Sequence, residues 1–169
     1  MDTDASQPGH FHLALLNIRS LQCLCTDIQT LDILVVLSNA IEVAEFRALS
    51  EQYFAKPCPD HFGIFPIAEH ERQKPMPPLK FVNMYDILPS VLKSMQDVNE
   101  NSTQAIHNVY GKYKYQAIKK LQTARYFAYR HVLWLDSEGI AVQPFSFQKV
   151  FDDYLKSEYT VLWYLEQQD

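Results

Sequence analysis

The chain has 169 residues, 47% of them apolar and 13% aromatic, with charge mixed along its length. That composition belongs to one ordinary globular domain with a real core, and excludes a disordered or fibrous protein. A formal net charge of −5 and a pI near 5.6 argue against a surface that gathers phosphates by long-range attraction, so no nucleic-acid partner is expected.

The opening "MDTDASQPGH" reads as a polar tail over residues 1–10 and lacks the basic-then-apolar order of a signal peptide. From 11 to 28, Leu15, Ile18, Leu21, Cys25 and Ile28 recur at helical spacing and predict an amphipathic helix. "LDILVVL" at 31–37 is a short β-branched run, as expected of a strand buried on both faces in a parallel sheet. Ser38 and Asn39 then offer caps for a helix over 41–53 whose Val43, Phe46 and Leu49 share a face. "FGIFPIA" (62–68) and "LKFVNM" (79–84) predict two more strands on either side of a mobile, proline-rich surface loop, "EHERQKPMPP".

A helix is expected over 84–97 despite Pro89, followed by a polar linker with the glycosylation sequon Asn101-Ser102-Thr103, which matters only in a secretory compartment. The longest helical pattern runs from Tyr110 to Tyr129. After it come a predicted strand at 131–136, a helix from a Ser146 cap to about Lys156, and a final strand "YTVLWY" at 159–164. Helices alternate with strands throughout, which predicts a single α/β layered domain over 11–169 with a mainly parallel sheet.

Several chemistries drop out on residue supply alone. Four glycines in all exclude a glycine-rich phosphate loop, and no G-x-S-x-G elbow is present. Three cysteines form no disulfide framework. Cys23 and Cys25 on a helix point to nearly opposite sides, so all three read as core thiols rather than metal ligands. His10 and His12 read as an incidental pair in the tail. No stretch approaches the about 18 apolar residues a bilayer span needs. The chain as given is therefore expected to carry no membrane span and no address: cytoplasmic by default, or in the Golgi lumen as part of a longer eukaryotic protein.

The candidate chemistry lies in "VLWLDSEGIAV" (132–142). At the carboxyl end of a strand in a parallel sheet, side chains leave the core for the crevice where ligands bind. Strand alternation would turn Asp136 and Glu138 to one side, toward one hard cation, and Gly139 permits a tight turn or a ligand's close approach. The bland alternative is that both carboxylates cap a solvated turn. Lys112, Gln116 and Lys119 fall within turns of one another on the preceding helix, with Lys120 and Arg125 nearby. A cation on one side and lysines on the other suit a nucleoside diphosphate, whose charge must be neutralised; a merely solvated helix face is the alternative.

The succession "KYKYQAIKKLQTARYFAYRHVLWLDSEGIAVQPFSFQKVFDDY" resembles the segment of GT-A-type nucleotide-diphospho-sugar glycosyltransferases in which a lysine-bearing helix precedes the strand ending in a D-x-D motif, here D-S-E. "HFHLALLNIRSLQCLCTDIQTLDILVVLS" is also similar to the start of such domains. The resemblance implies a Rossmann-like, GT-A-like sheet flanked by helices, with Asp136 and Glu138 holding Mn²⁺ or Mg²⁺ against the diphosphate of a UDP- or GDP-sugar. Gln116, Lys119 and Gly139 would contribute to the donor site, and the glycosyl group would pass to an unknown acceptor. The family's opening strand and its acceptor-binding half have no counterpart here, so an incomplete copy is expected. The rival reading is an inactive remnant acting as a binding module, with Tyr113, Tyr115, Trp163 and Tyr164 serving a partner surface or, as the alternative favoured for most of them, simply packing in the core. "VLWLDSEGIAV" also resembles the first motif of haloacid-dehalogenase-like phosphatases, with Asp136 as nucleophile and Glu138 as acid.

Overall fold

The computed structural model describes residues 10–129, 131–137 and 139–156; Glu138 and the expected strand at 159–164 lie outside the described residues. In chain order the elements are α1 (His10–Leu24), β1 (Ile33–Leu37), α2 (Ala40–Phe54), β2 (His61–Phe62), β3 (Phe65–Pro66), α3 (Glu69–Arg72), β4 (Leu79–Asn83), α4 (Met84–Ile87), α5 (Ser90–Lys93), α6 (Gln104–Phe127) and α7 (Phe147–Lys156). Helix dominates, and the sheet at the centre is small.

β1 pairs in parallel with β4, Ile33 opposite Leu79 and Leu37 opposite Asn83, with α2 in the crossover. This is the βα-type connection that parallel strands require. Asn39 caps α2 as expected, its side chain accepting from the Glu42 amide at 2.8 Å. Ser38 instead gives its amide to the Glu42 carboxylate at 2.8 Å. The core between α1, α2 and the strands centres on Leu15, Ile18, Leu37 and Phe46. Phe46 is fully buried, with the rings of Phe11 and Phe81 against it.

α1 carries the expected apolar stripe, yet its other side is not solvated. Asn17, Arg19, Ser20 and Gln22 are all 6% exposed or less, and each serves the backbone of a distant loop. Asn17 donates to the Asp136 carbonyl at 2.7 Å, and Ser20 Oγ accepts from the Ala141 amide at 2.9 Å. Arg19 donates to the carbonyls of Lys56 and Pro57 at 2.6 and 2.7 Å, and Gln22 to that of Lys74 at 3.0 Å.

Three predicted elements take other forms. The strand at 62–68 is a two-residue hairpin, His61 opposite Pro66, separate from the parallel pair. Proline has no amide to give a ladder, and the chain reverses between Phe62 and Phe65. The loop after it is not free: it contains α3, and Lys74 ties it to the Cys25 carbonyl at 3.1 Å and to Glu71 at 2.9 Å. The helix over 84–97 splits into α4 and α5 at Leu88, which is extended (φ −67, ψ 143) as expected of a residue before proline. α6 also contains a break, at Gly111 (φ 77, ψ 166), a conformation open in practice only to glycine.

The strand predicted at 131–136 does not form: this segment joins neither sheet, and Val132, Leu133, Trp134 and Leu135 are all exposed. The chain after it pairs with α1 instead of the sheet. Besides the Asn17 and Ser20 contacts, Phe145 N–H donates to the Leu24 carbonyl at 3.0 Å, and Thr26 N–H to the Phe145 carbonyl at 2.8 Å.

The reading of three core thiols is also corrected: Cys23 and Cys58 form a disulfide between Cα atoms 5.8 Å apart, and only Cys25 is a buried free thiol. The end of α1 at Leu24, earlier than the expected helix to 28, separates the two: Cys23 lies in the helix and Cys25 just beyond it, in a β-bridge with Phe145. One side chain meets the Cys58 loop, which Arg19 holds in place, while the other packs with Ile28 and Phe147.

α7 begins as predicted at Ser146, but Asp27 shares the cap. Its carboxylate accepts from the amides of Phe147 (2.9 Å) and Gln148 (2.7 Å) and from Ser146 Oγ (2.9 Å). Burial pushes the Asp27 pKa up, but these bonds and one from Cys25 outweigh it and bring the value down to about 2. A carboxyl held below its unfolded value stabilises the fold above that value and ceases to do so as pH falls through the folded one. Hydrogen exchange should therefore show α7 losing protection between about pH 4 and pH 2, and Asp27→Ala should loosen α7 at neutral pH, at a cost of about 1–2 kcal/mol. Unchanged α7 protection in the variant would remove Asp27 as the anchor. Cys58→Ala opens a loop whose ends are 35 residues apart and should lower unfolding free energy by about 3–4 kcal/mol; a urea midpoint equal to that of the oxidised wild type would contradict this.

Candidate functional site

The carboxyl end of β1 opens on a cleft of about 220 Å³, lined by Ser38, Asn39, Glu42, Ser102, Thr103, Gln104, His107 and Tyr115. The starts of α2 and α6 both lie here and bring two positive dipole ends to one region, although several of their first amides are already taken: Ala40 N–H by the Glu100 carbonyl, Glu42 N–H by Asn39 Oδ1 and Gln104 N–H by Ser102 Oγ. A hydroxyl chain fixes the back wall. Thr103 Oγ1 donates to the Ser38 carbonyl at 2.9 Å, which leaves the Tyr115 hydroxyl to donate to Thr103 at 2.6 Å.

α6 passes β1 in the opposite direction. Near its middle Lys119 reaches Ser38 at the carboxyl end of the strand, and beyond its end Tyr129 donates to Asp32 at the amino end at 2.8 Å. The Lys119 ammonium donates to Ser38 Oγ at 2.9 Å and lies 5.0 Å from the Tyr115 ring centre. Burial lowers its pKa below the ordinary lysine value, against the opposing pull of the Glu42 charge. The next residue points elsewhere: Lys120 pairs with Asp136 Oδ1 at 3.0 Å. Consecutive residues of one helix thus tether the end of β1 and the acidic loop.

Asp136 stands in a turn, not at a strand end. Its carbonyl accepts from the Gly139 amide at 2.9 Å and from Asn17. A Cβ at Gly139 would meet that carbonyl oxygen at 3.2 Å, a tight contact that the turn would have to relax by a few tenths of an ångström to accept. Strand alternation therefore does not govern the D-S-E pair, and Glu138 lies outside the described residues.

Of the expected donor-site residues, the structure brings Lys119 to Ser38, a residue of the cleft wall, without Lys119 itself lining the cleft, and Gly139 to Asp136. Gln116, Lys112 and Arg125 are exposed on α6 and make no hydrogen bond among the described residues. Tyr115 is buried and Tyr113 is 83% exposed. In the cleft itself, the sequence marks Ser38 only as a cap, Thr103 only as part of the sequon and Tyr115 only as a candidate partner-surface aromatic. The signal was present in "LVVLSNA": a buried parallel strand running directly into a helix N-terminus marks where such folds bind ligands. A larger depression of about 370 Å³ lies along one side of α2, lined by Ala40, Val43, Ala44, Arg47, Ala48 and Glu51. It is shallow and gathers no set of polar groups on one point.

Among the described residues no three His, Cys, Asp or Glu side chains converge on a possible metal position. Asp136 remains a hard, 71% exposed carboxylate whose partner is a surface lysine. That suits a cation of the Mg²⁺ type, which binds one or two carboxylates and takes its remaining oxygens from phosphates and water. No family model matches the chain, and no curated protein or solved structure matches it.

An ammonium desolvated beside the end of β1 lowers stability at neutral pH, and this penalty disappears as pH rises toward the ordinary lysine value. Lys119→Met should accordingly unfold at a higher urea concentration than the wild type at pH 7, with the gap narrowing in alkali. A lower midpoint for the variant would make Lys119 a structural tie rather than a group held in place at the expense of stability.

Proposed function

We propose that this chain is a glycosyltransferase-type domain that binds a nucleotide-diphospho-sugar, UDP- or GDP-linked, with Mn²⁺ or Mg²⁺ held by Asp136 and Glu138. The sugar would pass to an acceptor not identified by these residues. The observation that supports the reading best is the consecutive pair on α6, Lys119 bonded to Ser38 at the end of β1 and Lys120 bonded to Asp136. The pair ties a cleft with anion-binding character to a carboxylate suited to a divalent cation.

Size supports the diphosphate as the group received there. A cleft of about 220 Å³ is below the usual range for a whole drug-sized ligand, and fits a phosphate-bearing end rather than an entire nucleotide sugar. In this reading the cation would neutralise the diphosphate. Lys119, which reaches the cleft wall through Ser38, and the positive ends of α2 and α6 would attract and orient it, and Lys120 would be released from Asp136. No membrane surface is required, and no helix among the described residues is long and apolar enough to cross a membrane.

Calorimetric titration of the chain with UDP and with GDP, each with and without Mn²⁺, tests this. Binding should depend on manganese and weaken by about tenfold or more in Asp136→Asn, while the variant's far-ultraviolet spectrum stays that of the wild type. Binding retained in the variant would remove Asp136 from the metal. A folded wild-type chain that binds neither nucleotide would leave the inert-remnant reading in its place.

A further inference from the structure

The disulfide and the sequon, unrelated in sequence, make the same statement about where this chain folds. Cys23 is 5% exposed and Cys58 fully buried, so the bridge is an internal part of the structure rather than a surface oxidation product. Such bridges are formed and kept in oxidising, secretory compartments. The third cysteine does not compete for it. Cys25 is buried, and burial together with its bond to Asp27 pushes its thiol up to about 11, leaving almost no thiolate to attack the bridge.

The sequence contains one N-x-S/T sequon, Asn101-Ser102-Thr103. It lies on a tight reversal in which Asn99 and Ser102 exchange backbone bonds (2.9 and 3.1 Å). Asn101 is exposed at the tip of this reversal. Its backbone amide is taken by Asn99 Oδ1 at 2.9 Å, whereas its side-chain amide makes no hydrogen bond among the described residues. We infer that this protein matures in a secretory compartment and carries an N-linked glycan on Asn101, at the rim of the cleft that Ser102 and Thr103 line.

The chemistry is ordinary group transfer. Asn101 Nδ2 forms a bond to the anomeric carbon of an oligosaccharide carried on a polyprenyl diphosphate. The bond from that carbon to the diphosphate oxygen breaks, the lipid diphosphate leaves, and the amide nitrogen loses one proton. In the same compartment Cys23 and Cys58 give two protons and an electron pair to a disulfide donor by exchange, and the donor leaves as a dithiol. The folded structure also orders the events. Thr103 is 2% exposed and engaged with Ser38 and Tyr115, so the sequon is presented whole only before α6 docks. The sugar must be added to the chain before it folds.

The inference does not depend on the nucleotide-sugar reading and is tested separately. The protein is isolated from the cells that produce it, digested without reduction, treated with peptide-N-glycosidase in ¹⁸O water and analysed by mass spectrometry. The expected result is a linked Cys23/Cys58 peptide and an isotope-labelled aspartate at position 101. The Asn101→Gln protein from the same cells should lose the glycan's gel shift while keeping the disulfide and the wild-type unfolding midpoint. Peptides with only unmodified Asn101, free thiols at Cys23 and Cys58, or a gel shift that survives Asn101→Gln would each overturn the inference.

Discussion

A backbone carbonyl or amide that leaves a sheet must still find a partner, and in this protein α1 provides it. The apolar stripe of α1 packs on α2, β1 and the start of α7, as the buried side of an amphipathic helix does. The polar residues around that stripe are also buried: Asn17 and Ser20 on one flank and Arg19 and Gln22 on the other receive the loops at 56–57, 74, 136 and 141. Each such bond has a modest net value of about 1 kcal/mol, but leaving the loop group unpaired in the interior would cost about 1–3 kcal/mol. The polar side of α1 therefore decides where irregular segments lie. Among the described residues the parallel sheet has two strands, and there the helix organises more of the chain than the strands do.

The acidic loop follows from that arrangement. Asp136 is held through its carbonyl by Asn17 and through its carboxylate by Lys120, so its position depends on α1 and α6 and not on a strand. The cleft at the end of β1 depends on α6 as well, through Thr103, Tyr115 and Lys119. One helix thus contacts both the cleft wall, through Lys119, and the acidic loop, through Lys120. Burying Lys119 works against stability, and groups kept at such a penalty are more common at functional sites than elsewhere.

Much of this was readable in the sequence, and the failures have particular causes. β1, β4, α2 with its Asn39 cap, the long α6 pattern and α7 from Ser146 follow from β-branched runs, helical spacing and capping residues, which act locally. The run "VLWL" at 132–135 reads equally well as a buried strand, because periodicity records which residues are apolar and not whether a neighbouring strand has room for them. The buried polar side of α1 was missed for a related reason: a pattern reading assigns Asn, Arg, Ser and Gln to solvent, and only the fold shows that distant carbonyls meet them. The Cys23–Cys58 bridge joins residues whose spacing says nothing about proximity, and an odd number of cysteines invites reading all as thiols. At the candidate site, Lys119 was legible from its place on the helix. Thr103 and Tyr115, brought there by the return of α6 to β1, were not.

Net charge and local charge favour different ligands. At −5 overall the protein does not draw an anion from a distance, and at physiological salt a field fades within about 8 Å in any case. Capture of a phosphate at the end of β1 would then rest on short-range groups, namely the Lys119 ammonium held at Ser38 and the positive ends of α2 and α6. Glu42 stands at the same cleft and opposes them, while Lys120 is already paired with Asp136. One ammonium and two helix ends match a single phosphate group better than the full charge of a diphosphate. The shortfall is what a divalent cation on the Asp136 carboxylate would make good in the proposed reading, which for that reason joins the lysine pair to Asp136 instead of treating the cleft as an anion site alone.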